Sequence, residues 1–328
     1  MTELLVAPTI APFRAFAVRV VRIQDLTPSF RRITFTGDDL DVFADNGRDQ
    51  RIKLILARTP GDDVTTSADC CAALDTLLAG EGGLDWFTAW REAPDAVRPV
   101  IRTYTIAGVR QHLREIDVDV VLHGDLGPAS RWAGSVRVGD TLGVCGPDAR
   151  HPGPHGGVEW APPEHALALL LAGDETAVPA IRGILASLPA DARGEAVLEI
   201  PHAADVLPLR APAGVRVTWL AREDAPHGSA LVPAVQAAAG RLLDAPVGGA
   251  AAVTGAIEDV DVDAQILWEV PVDPDGEPLT RSTEMYAWLA GEAGAIKTLR
   301  RHLVAERGVD RRSVAFMGYW REGRAEGA

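Results

Sequence analysis

Arg102-Thr103-Tyr104-Thr105-Ile106-Ala107, followed by Leu122-His123-Gly124-Asp125-Leu126-Gly127-Pro128-Ala129-Ser130, decides how this chain is read. The first piece opens a β-rich run; the second crosses from a strand into a helix. On a strand, alternation puts Arg102 and Tyr104 on one face and Thr105 on the other. An aromatic and a hydroxyl beside an arginine suit a planar ring that carries a phosphate. A small-residue loop at a helix start suits a second phosphate, because free N–H groups project there and the helix dipole favours an anion. Pro128 fits a turn or first-turn position and Ser130 a cap. Alone, Arg102-x-Tyr104-Thr105 also fits an edge strand with an exposed arginine and a packed tyrosine. Two anion-binding pieces separated by one strand favour the ligand reading, and the ring-plus-diphosphate chemistry points to a flavin.

Around these pieces the chain has two grammars. From Phe13 to about Cys145, short apolar/polar alternations read as strands: Ala15 to Val21, Arg32 to Thr36, Ile52 to Leu56 and Ile116 to Leu122. With turn signals such as Thr36-Gly37-Asp38 they indicate a small antiparallel β-barrel over 12–150. Residues 60–98, with helical pieces such as Trp86-Phe87-Thr88-Ala89-Trp90, read as a surface-packed insertion. A Pro/Gly/His-rich stretch, 151–165, reads as a linker. From Ala166 the period changes. Ala166 to Ala172 is a continuous apolar run, as in a strand buried on both faces, and a helix from Val178 to Leu188 follows it. Strands at Ala196 to Ile200, Arg216 to Ala221 and Met285 to Ala290, with helices at Ala230 to Leu243 and Ala293 to Arg307, complete a parallel α/β nucleotide-binding domain over 166–324. The stretch 244–264 reads as loose.

Composition narrows the class. At 328 residues the chain exceeds one ordinary hydrophobic core, so two domains are expected. A net charge of −14 argues against a nucleic-acid binder or a protein stably associated with anionic membranes, without excluding a local basic pocket. Of three cysteines, Cys70 and Cys71 are adjacent and Cys145 is distant, so a structural zinc or iron–sulfur site is not expected. Residues 1–12 do not resemble a signal segment and no run is long and apolar enough to span a bilayer, so a cytoplasmic protein is expected; a monomer is the separate expectation for its assembly.

The order of barrel then nucleotide domain, with these motifs, resembles the ferredoxin–NADP reductase superfamily, and within it the siderophore-interacting proteins, FAD-dependent ferric-siderophore reductases. Ile52-Lys53-Leu54, Gly127-Pro128-Ala129-Ser130-x-Trp132-Ala133, Ala172-Gly173-Asp174-Glu175-Thr176-Ala177-x-Pro179-Ala180 and Gly318-Tyr319-Trp320-Arg321-x-Gly323 extend the likeness over nearly the whole chain. The resemblance implies FAD held by Arg102, Tyr104, Thr105, His123, Gly127, Ala129 and Ser130. One departure is Ala107, where the family often has an arginine; Arg110 or Arg131 could substitute.

Leu171 to Pro179 joins the first α/β strand to its helix, where open α/β sheets bind ligands. Asp174 and Glu175 would repel a pyrophosphate, which makes Thr176 and the following amides the better nicotinamide-side contacts. Arg222 could reach an adenosine 2′-phosphate or be a solvated surface charge, so NADPH and NADH both stay open. Trp320 could shield the flavin or pack on the barrel. A ferric siderophore is usually anionic. Its candidate cations are Lys53, where the resemblance implies a basic contact, Arg131, and Lys297, Arg300, Arg301 or Arg321. The resemblance implies hydride transfer to flavin N5, single-electron transfer to Fe(III) and release of Fe(II), with electron transfer carried by the cofactor rather than by catalytic side chains. Two other functions fit the same residues: a general NAD(P)H–flavin or quinone reductase, and a non-catalytic siderophore-binding protein.

Overall fold

The structure, a computed structural model, describes residues 10–56, 90, 92, 100–123, 128–244 and 267–323. Strands β1 (Phe13–Asp25), β2 (Phe30–Thr36), β3 (Arg51–Leu56), β4 (Val100–Arg110), β5 (Glu115–Val121) and β6 (Thr141–Pro147) close into a barrel in the order β1-β2-β5-β4-β3-β6. All neighbours are antiparallel. Alternation fills the inside with Val18, Val20, Ile33, Phe35, Ile52, Leu54, Val118 and Val144. Helix α1 (Pro128–Ser135) adds Ala129 and Ala133 to this core, and Trp132 stacks on Phe35. Most of the 60–98 insertion lies outside the described residues; Trp90 is buried with Ala15, Ile55, Ile101 and Cys145 against the barrel's outer face.

The β4–β5 ladder is incomplete. β4 pairs with β3 from Val100 to Thr105, but with β5 only from Ile106 to Arg110. Above that point the two strands part, so the first half of β4 offers one backbone edge to a seam. A bulge with Ala107 as its extra residue marks where the seam begins.

The second half holds β7 (His165–Gly173), α2 (Val178–Ser187), β8 (Arg193–Ile200), β9 (Gly214–Ala221), α3 (Leu231–Leu243), β10 (Trp268–Glu269), β11 (Ser282–Glu292), α4 (Ala293–Arg300) and β12 (Val314–Trp320). The sheet order is β10-β12-β11-β7-β8-β9, all parallel except β10. Period-two alternation divides the continuous apolar run: Leu169 and Leu171 pack towards α2, Leu170 and Ala172 towards α3 and α4. Chain order reverses between β7 and β11, which makes their carboxyl ends the ligand crevice. Gly173 is required there. A Cβ would lie 2.5 Å from Ala290 O and 2.4 Å from Ala177 Cβ.

Four details depart from the sequence reading. Ser130 is the third residue of α1 rather than its cap; its Oγ instead accepts the His123 backbone N–H at 3.0 Å. The helix expected to reach Arg307 is α-helical only to Arg300 and continues as π-helical turns from Arg301 to Glu306. β10 and β12 were not foreseen, because each takes its place only beside a distant partner strand. The strand expected from Ala166 begins one residue earlier, at the end of the expected linker 151–165, in which Trp160 is buried. The loop 244–264 lies, after its first residue, outside the described residues.

Three buried carboxylates join the halves. Asp205, from the loop after β8, accepts from Thr27 Oγ1, the Ser29 N–H and Ser29 Oγ, each at 2.8 Å, and from the His202 N–H at 3.1 Å. Asp119 of β5 binds Arg32 of β2 through two bonds and Arg182 of α2 at 2.9 Å. Asp49 accepts from the Glu159 and Trp160 N–H groups and from Trp288 Nε1.

Replacing Asp205 with alanine leaves its buried donors unsatisfied, and the expected loss is about 3 kcal/mol of unfolding free energy by urea titration. Burial pushes the Asp49 carboxyl up to about 6. Between pH ~4 and ~6 the folded protein therefore holds a proton that the unfolded chain has lost, so this group's contribution to stability falls as pH rises through that window and is constant above it. In Asp49→Asn, urea titrations across pH 4–6 are expected to show a shallower decline than in the parent.

Candidate functional site

The seam and the strand ends form one site. On β4, Arg102 lies opposite Leu54, Tyr104 opposite Ile52 and Thr105 opposite Arg51, which puts Arg102 and Tyr104 on one face and Thr105 on the other, as the alternation required. Arg102 donates one N–H to Ile101 O at 2.7 Å, and among the described residues no other hydrogen bond from its guanidinium is seen. Tyr104 is half-buried against the barrel core, and Thr105 is buried. Across the seam stand His123 and α1, tied together through Ser130. Ala129 is buried beneath them, and Gly127 lies outside the described residues. Lys53 donates to Thr103 Oγ1 and so shares the face of Thr105, not that of Tyr104.

Ala107 borders a cleft of about 330 Å³ between the barrel and α2, lined also by Arg182 and Arg210. Arg110 does not replace the missing arginine. Its guanidinium is taken by Asp117 at 2.7 and 2.8 Å and by Glu115 at 3.0 Å. Arg131 is exposed on α1.

At the strand ends, Asp174 is 1% exposed yet fully bonded. Its Oδ1 accepts from the Thr176 N–H and hydroxyl, and its Oδ2 from the Glu292 N–H at 2.7 Å and Trp320 Nε1 at 2.8 Å. Burial, and then the neighbouring Glu175 charge, push the Asp174 carboxyl up to about 6. Thr176 is thereby engaged as part of the Asp174 turn. The Trp320 indole is held at the strand ends by Asp174, 6.2 Å from the His123 ring and 4.6 Å, edge to face, from the His227 ring.

Glu175 has a wholly buried side chain that pairs bidentately with Arg222, at 2.6 and 2.8 Å. Arg222 is therefore neither a solvated surface charge nor free for a phosphate. His123 Nδ1 and His227 Nδ1 stand 3.8 and 3.9 Å from the same carboxylate. Burial lowers the His123 pKa and the positive Arg222 adds to this, while Asp174 opposes it; the imidazole is neutral near neutral pH. His227 was missed in the sequence, since Pro226-His227-Gly228 is an ordinary turn before α3. Its Nδ1 is buried without a hydrogen-bond partner.

The proposed substrate cations do not all converge. α4 starts at the β11 carboxyl end and runs back along the sheet, so Arg301 lies about 12 Å further along the axis. There it is 73% exposed and pairs with Glu306 at 3.6 Å, as a solvated charge. Arg300 is committed to Glu269 at 2.7 Å. Lys297 is half-buried midway along α4, and Arg321 directly follows Trp320 at the strand ends.

These residues fit a flavin dinucleotide. Arg102 and the half-buried Tyr104 line one side of an open seam, α1 lines the other, and Trp320 and His227 of the second half stand near His123. The profile of the siderophore-interacting FAD-binding domain matches residues 19–151, and that of the siderophore-interacting protein matches 166–323. An uncharacterized protein of Mycobacterium bovis is 33% identical, over 96% of this chain and 92% of its own length. The ferric vibriobactin reductase ViuB of Vibrio cholerae is 26% identical, over 94% of this chain and 90% of its own. The crystal structure of the siderophore-interacting protein SipS from Aeromonas hydrophila superposes with a TM-score of 0.63 at 29% identity, covering 95% of this chain and 94% of that one. The ferredoxin reductase in carbazole 1,9a-dioxygenase and the Amycolatopsis cytochrome P450 reductase GcoB share the fold, with TM-scores of 0.51 and 0.53 at 16% and 14% identity. The chain belongs to the siderophore-interacting protein family and carries that family's FAD-binding domain in its first half.

Proposed function

We propose that this protein is a FAD-containing reductase that takes electrons from NADH or NADPH and passes them to a ferric siderophore, releasing iron as Fe(II) in the cytoplasm. The observation that carries the reading is the meeting of the β4–β5 seam with the strand-end crevice, where His123 from the barrel side approaches Trp320 and Glu175. A relative named as a ferric vibriobactin reductase supports it.

In this reading Arg102 and the start of α1, with Gly127, Ala129 and Ser130, bind the diphosphate. Tyr104, Thr105 and His123 orient the ring. When bound, FAD supplies the exchange between a two-electron donor and a one-electron acceptor. Asp174 and Thr176 fix the turn against which the nicotinamide lies, Glu175 and Arg222 border its path, and Trp320 excludes water from the ring face. Lys53, Arg131, Lys297 and Arg321 supply positive charge for the anionic chelate, an attraction that matters in a chain of net charge −14.

The test is anaerobic. The FAD-loaded protein is expected to be yellow, to bleach when a reduced nicotinamide nucleotide is added, and to recolour on adding a ferric siderophore. Failure to take up FAD contradicts the reading. Lys53→Ala is expected to lower kcat/KM for the ferric chelate about tenfold while sparing a neutral quinone. An equal loss with both acceptors would instead support a general flavin reductase.

A further inference from the structure

The charge around Arg222 bears on which nucleotide serves as donor, an inference that rests on the nucleotide-dependent reading above. The nicotinamide end belongs beside Trp320 and Asp174, at β7, β11 and β12. The sheet order then leaves one direction for the adenosine, over the carboxyl ends of β8 and β9. A 2′-phosphate there needs an available cation, whereas an unphosphorylated ribose is well served by a carboxylate that accepts its hydroxyls.

The cation in that position is turned away. Arg222 directly follows β9, and its backbone N–H is fixed to Ile200 O at 3.0 Å. Its side chain, 9% exposed, reaches back across the end of β8 to Glu175 after β7, two strands or about 10 Å away. Both guanidinium bonds go to a carboxylate whose side chain is wholly buried, so recruiting Arg222 to a phosphate would strand a buried negative charge. Nor do the amides at the start of α3 help. The Gly228, Ala230 and Leu231 N–H groups all donate to Glu199.

What the outer lip does present is negative. Glu223 is exposed at a left-handed φ of 49°, and Asp224 is exposed beside it. Glu223 accepts the Ala203 N–H and bonds His202 Nδ1 at 2.8 Å, which fixes the carboxylate at the lip. In the segments that directly follow these strands, 201–204 and 222–225, Arg222 and His202 are the only basic side chains.

We propose that the physiological donor is NADH: Glu175 withholds Arg222 from the 2′ position, and Glu223 is the carboxylate that receives the ribose hydroxyls. Glu175 is thereby a positioning residue for cofactor selection.

The test compares both nucleotides on the FAD-loaded protein. Anaerobic flavin bleaching is expected to give kcat/KM for NADH about tenfold or more above that for NADPH. Calorimetry is expected to find 2′,5′-ADP binding no tighter than 5′-AMP. Glu175→Gln, which loosens Arg222, is expected to narrow the kinetic ratio about fivefold and to favour 2′,5′-ADP. The exposed variant Glu223→Gln, which leaves the core untouched, is expected to weaken NADH and 5′-AMP selectively. Parity or a preference for NADPH, or tighter binding of 2′,5′-ADP by the parent protein, overturns the inference while leaving ferric reduction intact. If neither nucleotide bleaches the flavin although dithionite-reduced protein still reduces the ferric chelate, the nucleotide-dependent reading itself fails and this inference falls with it.

Discussion

One buried carboxylate holds together the place where everything meets. Asp174 closes its own turn through Thr176, fastens the end of β11 through the Glu292 N–H, and latches the indole of Trp320 at the end of β12. An acid this deep is tolerated because four donors converge on it, and even so its carboxyl stays near 6 rather than in the usual carboxylate range. The backbone is shaped to let it in. Gly291 has φ of +148°, and a Cβ there would come within 2.7 Å of Asp174 Oδ2. Three strand ends thus become one rigid rim, and Trp320 is held on it by a bond rather than by packing alone.

That rim has meaning only if the barrel is held against it. In the proposed function the flavin takes the seam on the barrel and the nucleotide the crevice on the sheet, so both halves are needed. Asp49, Asp119 and Asp205 supply the attachment, each reaching donors on the other half or on the connector between them. Close approach supports the polar bonds: a Cβ on Gly183 of α2 would lie 1.9 Å from Arg48 O of the barrel. An acidic chain thereby uses part of its surplus carboxylate as internal fastening.

Much of this was legible in the residues. The switch from period-two alternation to the continuous run Ala166 to Ala172 separated barrel from sheet, because burial on one face and burial on two leave different patterns. Arg102, Tyr104 and Thr105 could be assigned to faces because strand geometry dictates alternation. What escaped was whatever depends on distant pairing. β12 is a strand because β11 lies beside it, Arg222 is locked because Glu175 faces it across β8, and His227 belongs to the site through the positions of Trp320 and Glu175. Arg301 misled for a related reason: a helix that starts at the crevice carries its later residues away from it. Ser130 was expected to cap α1, whereas its hydroxyl is spent joining α1 to His123, a contact that local sequence does not encode.

If the parted strands β4 and β5 form a flavin cradle facing the Trp320 rim, a crystal structure of the protein with FAD will show it. The diphosphate is expected between Arg102 and the start of α1, with the ring against Tyr104 on the side that Trp320 and His123 overlook. Density for the ring in the cleft beside Ala107 and Arg182, or a seam closed by continuous β4–β5 pairing, would contradict it.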